Sequence, residues 1–375
     1  MNPLFFELLQ VVVGERKYLS VSPTTEEWQN LFNMAKKHSV IAVCFFAVKL
    51  LEKQCRPPIE LYRKWLAIAV QIQQRNEFMN RKCVELQELI NGAGFNNCIL
   101  KGQGVARLYQ FNLAPNYEEN ADKIDISLLR QSGDIDVWVN GGLEKIMKWV
   151  TMIAPTQKVN GHHIQFNYFK NVDIELHYLP FVLHNPKKNR ILQEYFASQE
   201  IKQFRNKVLL SSGESIVAAA DSFNVVFLLV HIFHHLFTEG IGLRHCMDYY
   251  FLLKNTKRDD TEVIKAHEVI SDLGIGRFAS ALMWVLGYVF GLSRNNMLWT
   301  PNKKDGAFLL QEIMLSGNFG KEDSRQKNLY KNKWYSFWIV HFKTFYFWRF
   351  DHWAWLWSPI FRIKGKAWQK MHGYE

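Results

Sequence analysis

A chain of 375 residues with 48% hydrophobic composition holds enough apolar side chain for a substantial core, which excludes a disordered protein. A formal net charge of +11 and a pI near 9.3 point to an anionic partner, whether nucleotide, nucleic acid, acidic lipid or charged glycan. Five scattered cysteines without a CxxC pair exclude a disulfide framework and a zinc ribbon, and favour a reducing cytoplasm.

The first stretch, MNPLFFELLQVVVGERK, has no basic region before its apolar run and contains Glu7, which argues against a cleaved signal peptide. Next, Pro23 suits a first helical position, Thr24 with Glu27 forms a capping box, and Trp28, Leu31, Phe32 and Ala35 recur at helical spacing. The long pattern beginning PPIELYRKW ends at a glycine pair, so residues 1–92 read as an all-helical segment.

The pattern then changes to a core over 93–183. FNNCILKGQG is a short strand followed by glycines, and VARLYQF opens a helix. An acidic excursion, NYEENADKIDIS, reads as a surface insertion before the strand GDIDVWV, a turn at Asn140, Gly141 and Gly142, and the helix LEKIMKWVTMIA. HHIQFNYF and VDIELHYL form a hairpin joined at Lys170 and Asn171. Residues 184–300 return to helices. The runs SFNVVFLLVHIFHHLF and FASALMWVLGYVFGL are interrupted by histidines or fall short of the ~20 apolar residues of a membrane span, so both read as buried helices. Residues 301–375 form a basic, aromatic-rich C-terminal segment.

Period-2 geometry sends Asp134 and Asp136 off one face of their strand, where two like charges repel unless a cation lies between them. In NVDIELHYL the same alternation sets Val172, Ile174 and Leu176 against Asp173, Glu175 and His177. A carboxylate pair on one strand and a third carboxylate on a neighbour make an oxygen cage suited to Mg²⁺ or Mn²⁺. Two such ions about 3.5–4 Å apart clamp the attacking and leaving oxygens of a phosphoryl displacement. Upstream, the turn Lys101-Gly102-Gln103-Gly104 presents backbone N–H groups at a helix start, with the Lys101 charge beside them, to an anion such as a triphosphate.

These pieces resemble the polymerase-beta-like nucleotidyltransferase superfamily, and within it the branch of uncharacterised nucleotidyltransferases. The resemblance rests on MAKKHSVIAV, LKGQGVARLY, RQSGDIDVWV, IELHY and GLRHCMDYYFLL. It implies an α+β fold with a small mixed sheet between helical segments, and metal-dependent transfer of NMP from an NTP with release of pyrophosphate. Asp134 and Asp136 then hold the metals with Glu175 as third acid. Lys101, Gly102, Gln103 and Gly104 occupy the phosphate loop, Arg130 and Gly133 belong to the motif before the strand, and Arg244 and Asp248 take helical positions of the family. The acceptor stays open among a small molecule, a glycan precursor, RNA and protein. One departure is Gly102-Gln103, where the superfamily often has Gly-Ser.

Several residues carry a second reading. Asp173 rivals Glu175 as third acid, and is otherwise a solvated hairpin residue. His177 either orients a carboxylate or packs under a loop, and His162 and His163 read as structural. His231, His234 and His235 lack an added cysteine or carboxylate at zinc-ligand spacing, so they line a cleft or pack internally. Arg244 and Asp248, four apart, form an intrahelical ion pair, or Arg244 reaches a phosphate. The aromatic C-terminus packs as helices, docks on an anionic membrane surface or stacks bases; the alternation of Trp353, Trp355 and Trp357 does not suit a simple amphipathic helix. The rival to an enzyme is a weak or inactive nucleotide-binding module of the same fold, membrane-peripheral in surface-glycan assembly.

Overall fold

The computed structural model describes residues 2–109, 125–154, 158–257, 260–320 and 345–372, together with 338, 341 and 342. Helices α1 (Pro3–Val12), α2 (Thr25–Lys37), α3 (Ile41–Leu50) and α4 (Ile59–Gly92) precede the first strand. The start of α2 is fixed by reciprocal bonds: Glu27 N–H donates to Thr24 Oγ1 at 3.2 Å and Thr24 N–H to Glu27 Oε2 at 2.8 Å. Thr24 is itself the N-cap, so Pro23 stands before the helix and not at its first position. Trp28, Leu31, Phe32 and Ala35 are all buried. At the end of α4, Gly94 takes φ +84°, which lets Phe95 N–H reach Ile90 O and its own N–H reach Asn91 O, the two bonds that close a helix terminus.

The fold is α+β, with a five-stranded mixed sheet in the order β1 (Asn97–Ile99), β2 (Ile135–Val139), β5 (Ile174–His177), β4 (His163–Gln165) and β3 (Lys158–Val159). β2 and β5 are parallel, joined through α6 (Gly142–Ile153) and the two short strands; every other pair in this sheet is antiparallel. The β4–β5 hairpin turns where Asn171 takes φ +63°. Alternation sorts the faces: Ile135, Val137, Ile174 and Leu176 pack with Ile146 and Val150 of α6, while Cys98 and Trp138 face a larger helical core. Trp138 stacks there on Phe223 of α8 (Asp221–Phe237) at 6.0 Å. Because β1 runs antiparallel to β2, its C-terminal end delivers Lys101 to the start of β2, and Leu100 N–H bonds to Asp136 O at 2.9 Å.

α5 is a single turn, Gln103–Ala106, followed by turn structure to Tyr109. The acidic excursion lies outside the described residues except for Asp125 to Ser127, which enter a short 3₁₀ turn. The later helices α7 (Pro186–Gln203), α8, α9 (Leu243–Asn255), α10 (Thr261–Asp272), α11 (Gly276–Phe290) and α12 (Lys303–Ser316) join α1 to α3 in one apolar cluster. Both long uncharged runs are buried helices, α8 and α11. Among the described residues no helix is long and apolar enough to cross a membrane. Trp355 and Trp357 sit in a C-terminal helix, Ala354–Met371, that contains Pro359; Trp353 is its N-cap.

Candidate active site

Register brings the acids together. Asp136 stands opposite Glu175 and Trp138 opposite His177 in the parallel β2–β5 pair, so the side chains of Asp136, Glu175 and His177 converge on one face. His177 Nε2 lies 3.1 Å from Asp136 Oδ1 and 3.4 Å from Glu175 Oε2, and its Nδ1 lies 3.1 Å from Pro180 O. Burial penalises charge on His177, but its bonds to the two carboxylates prevail and raise its pKa to about 9. Glu175 shows the counterpart: burial opposes its charge most, and the hydrogen bond from His177 together with the nearby His163, His177 and Lys101 outweighs it, holding it down to about 2. Asp136 is buried, yet Lys101 and His177 keep its pKa below the ordinary carboxylate value.

Lys101 Nζ bridges Asp136 Oδ1 at 2.9 Å and His231 Nε2 of α8 at 3.1 Å. Burial works against its charge, and Asp136, Asp134 and Glu175 together override it, so its pKa lies above the normal lysine value. Gly102 turns the chain away from β1 with φ +61°, and a Cβ there would stand 3.5 Å from Asp134 O. Arg130 and Arg244 complete the cationic side. Arg130 forms a bidentate pair with Asp248 of α9, Nε–Oδ1 at 2.7 Å and Nη2–Oδ2 at 2.8 Å, and Arg244 Nη1 donates to Gln131 O at 2.9 Å. Arg130 Nη1 and Arg244 Nε are buried with no hydrogen-bond partner among the described residues.

Two adjoining cavities share Lys101, Asp134, His231 and Phe319 in their walls. The smaller is also lined by Gly102, Arg130, Gly133, Asp136, Arg244 and Asp248. The larger, of about 450 Å³, adds Glu175 and, beside the shared His231, five histidines: His162, His163, His177, His234 and His235. A cluster of acids and a cluster of cations thus face a common space at the end of a parallel strand pair. The family model described as "Uncharacterised nucleotidyltransferase" matches residues 24–114 and 123–291, more than half of the chain. The chain belongs to that family. No curated protein and no solved structure matches it.

In this member of the family, most residues singled out by the sequence meet at the cavities. Asp134, Asp136, Glu175, His177, Lys101, Gly102, Arg130, Gly133, Arg244 and Asp248 all line one or the other. Glu175 and not Asp173 is the third acid brought there, because Asp173 is exposed at the hairpin end and lines neither cavity. The Gln103 side chain turns the other way, donating to Asn80 Oδ1 of α4, and Gly104 packs on Ala218 and Ile99, where a Cβ would come within 3.1 Å of the Ala218 Cβ. The intrahelical pairing of Asp248 with Arg244 is corrected: the Asp248 carboxylate is taken by Arg130, with Tyr109 Oη donating to it at 2.7 Å. That pair ties α9 to the segment before β2, so Asp248→Ala strands a buried guanidinium. The variant is expected to lose about 3–5 kcal/mol, which a urea titration against wild type would measure.

His162 and His163 read as structural in the sequence, yet both line the large cavity, and His163 Nε2 lies 3.5 Å from Glu175 Oε1. The signal that finds them is register: His163 pairs with His177 across β4 and β5. Phe319 carries no sequence signal. It takes φ +55° after α12 and sits under the Arg244 guanidinium, 5.6 Å from ring centre.

Proposed function

We propose that this protein is a metal-dependent nucleotidyltransferase that transfers NMP from an NTP to an acceptor and releases pyrophosphate. The observation that carries the reading is the opposition of Asp136 and Glu175 across β2 and β5, with Asp134 two residues upstream, on cavities that also hold Lys101, Arg130 and Arg244. The donors fit Mg²⁺ or Mn²⁺: they are carboxylates, and Asp136 Oδ2 is buried without a hydrogen-bond partner among the described residues. Asp134, Asp136 and Glu175 would hold the ion, which when bound stabilises the negative charge developing on the phosphoryl oxygens.

The remaining work falls to side chains and backbone of the chain itself. The amides of Gly104, Val105 and Ala106 bond back to Lys101 O and Gly102 O, which holds the Gly102 turn at the wall of the smaller cavity for the nucleotide tail. The unpartnered Arg130 Nη1 and Arg244 Nε, with Lys101, draw a triphosphate into the smaller cavity. The larger cavity, adjoining at Asp134 and Lys101, receives the acceptor, so an acceptor oxygen approaches the α-phosphorus in line with the departing pyrophosphate. The test is incubation of the full chain with each labelled NTP, a divalent ion and a cell extract. Pyrophosphate release that EDTA abolishes is the expected result; calorimetric NTP binding without release across acceptors would instead make this a nucleotide-sensing module.

We also propose peripheral membrane contact through the C-terminal segment, favoured by its exposed rings. Phe347 and Phe350 are buried and anchor it to the core, while Phe345, Trp348 and Trp353 are 61%, 52% and 57% exposed, in a segment that also carries Arg349 and Arg362. Removing the whole segment would strip core residues, so the sharper variant replaces Trp348, Trp353 and Trp355 by Ala. That variant is expected to pellet less than wild type with vesicles containing phosphatidylserine; equal pelleting removes the idea.

A further inference from the structure

The environment of His177 determines more than its position. A neutral imidazole carries one N–H. Nδ1 lies 3.1 Å from Pro180 O, a carbonyl that only accepts, so the N–H belongs on Nδ1. Nε2 then directs a lone pair at two carboxylate oxygens, Asp136 Oδ1 at 3.1 Å and Glu175 Oε2 at 3.4 Å. Three acceptors facing one another repel unless a cation sits between them. Lys101 Nζ, 2.9 Å from Asp136 Oδ1, answers one oxygen from the side, and between the oxygens and Nε2 the cation is either a proton on Nε2 or a divalent ion.

The spacing admits the second as well as the first. Neighbouring ligands on an octahedral ion with bonds of about 2.1–2.2 Å lie about 3.0–3.1 Å apart, close to the separations around Nε2. The three donor atoms all lie within 4.8 Å of one another. An imidazole held by a backbone carbonyl through its other nitrogen is also the usual outer-shell arrangement of a metal-bound histidine. His163 differs, because its Nε2 lies 2.7 Å from Asn160 Nδ2, whose N–H occupies the lone pair.

We infer that His177 is itself a metal ligand through Nε2, and that the resulting Asp136–Glu175–His177 site takes a first-row transition ion of the Mn²⁺ class in preference to Mg²⁺. This assignment rests on the metal-dependent function proposed above and adds a nitrogen to its ligand set. The chemical ground is the donor set. Mg²⁺ holds to oxygen and dehydrates reluctantly, whereas an imidazole nitrogen is a good ligand for the transition ions.

The experiment is a Mn²⁺ titration of the full chain in nitrogen-free buffer without nucleotide, followed by pulsed electron paramagnetic resonance for nitrogen coupled to the bound ion. Wild type is expected to bind Mn²⁺ with a directly coupled imidazole nitrogen, and Mg²⁺ to displace it only at roughly a hundredfold excess or more. His177→Gln is expected to lose the nitrogen signal and about tenfold or more in Mn²⁺ affinity, while His163→Gln keeps both. Bound Mn²⁺ with no nitrogen coupling in wild type, or a signal that survives in His177→Gln, overturns the inference and leaves the carboxylate metal site standing. Failure of wild type to bind Mn²⁺ at all overturns the metal-dependent reading with it. The wild-type spectrum decides this even where the His177 variant folds poorly.

Discussion

Acidification from pH 7 to about 4.5 is expected to unfold the metal-free protein over a narrow window, with far-UV dichroism and tryptophan emission changing together. Seven of its 13 histidines have depressed pKa values: His38 to about 3, His163 and His184 to about 4, and His162, His231, His234 and His245 well below the ordinary value. Burial is the largest cause in every case, and around the cavity the neighbouring imidazoles and Lys101 add to it. In the unfolded chain these groups titrate near 6.5, so below that pH the unfolded state binds more protons than the native one. The stability they contribute is therefore complete above pH 6.5 and lost as pH falls.

Each such histidine removes about 1.4 kcal/mol per pH unit once its unfolded form is charged and its folded form is not. Seven together set an upper bound on the order of 10 kcal/mol per unit, as large as the whole stability of about 5–15 kcal/mol of a typical protein. His177 does not offset this. Its folded pKa of about 9 means both states hold its proton below 6.5, and its contribution is lost instead between pH 6.5 and 9. Glu175, held down to about 2, adds its own loss only between pH 4.5 and 2. A chain that keeps its dichroism and emission at pH 4 would mean that the cavity histidines are hydrated in solution and the wall they form is open.

How much of the molecule is legible in its sequence depends on the range of each interaction. Helix α2, its capping box and the buried runs α8 and α11 depend on neighbours within four residues, and periodicity exposes them. The faces of β2 and β5 are legible for the same reason, since side-chain alternation is local. Their adjacency is not, because it depends on how α6 and two short strands fold between them. Resemblance to a family supplies that link. Asp248 illustrates the limit: the local rule offers Arg244 one turn away, while the tertiary fold offers a bidentate partner 118 residues distant. Gln103 is similar. A glycine-rich loop announces itself in sequence, but which way the intervening side chain turns depends on Asn80 of α4, and that contact exists only once the loop packs.

Asp134→Asn and Asp136→Asn are expected to abolish nucleotidyl transfer alike and to part company in stability. Losing one carboxylate from the acidic trio removes several kcal/mol of transition-state stabilisation, roughly a thousandfold or more in turnover for either variant. Stability differs because the two carboxylates stand in different surroundings. Asp136 is 1% exposed and neutralises both Lys101 and His177. An amide in its place takes the shared carboxylate from two buried cations, leaving His177 only Glu175 Oε2 at 3.4 Å, at a cost of about 3–5 kcal/mol. Asp134 is only half-buried at the cavity wall, so its replacement is expected to shift the unfolding free energy by less than about 1 kcal/mol. Parallel urea titrations and pyrophosphate assays separate the two effects. The Asp134 variant is thus the decisive one: if it folds as wild type and still turns over within tenfold, the acidic trio does not hold the catalytic ion, whatever the Asp136 variant does.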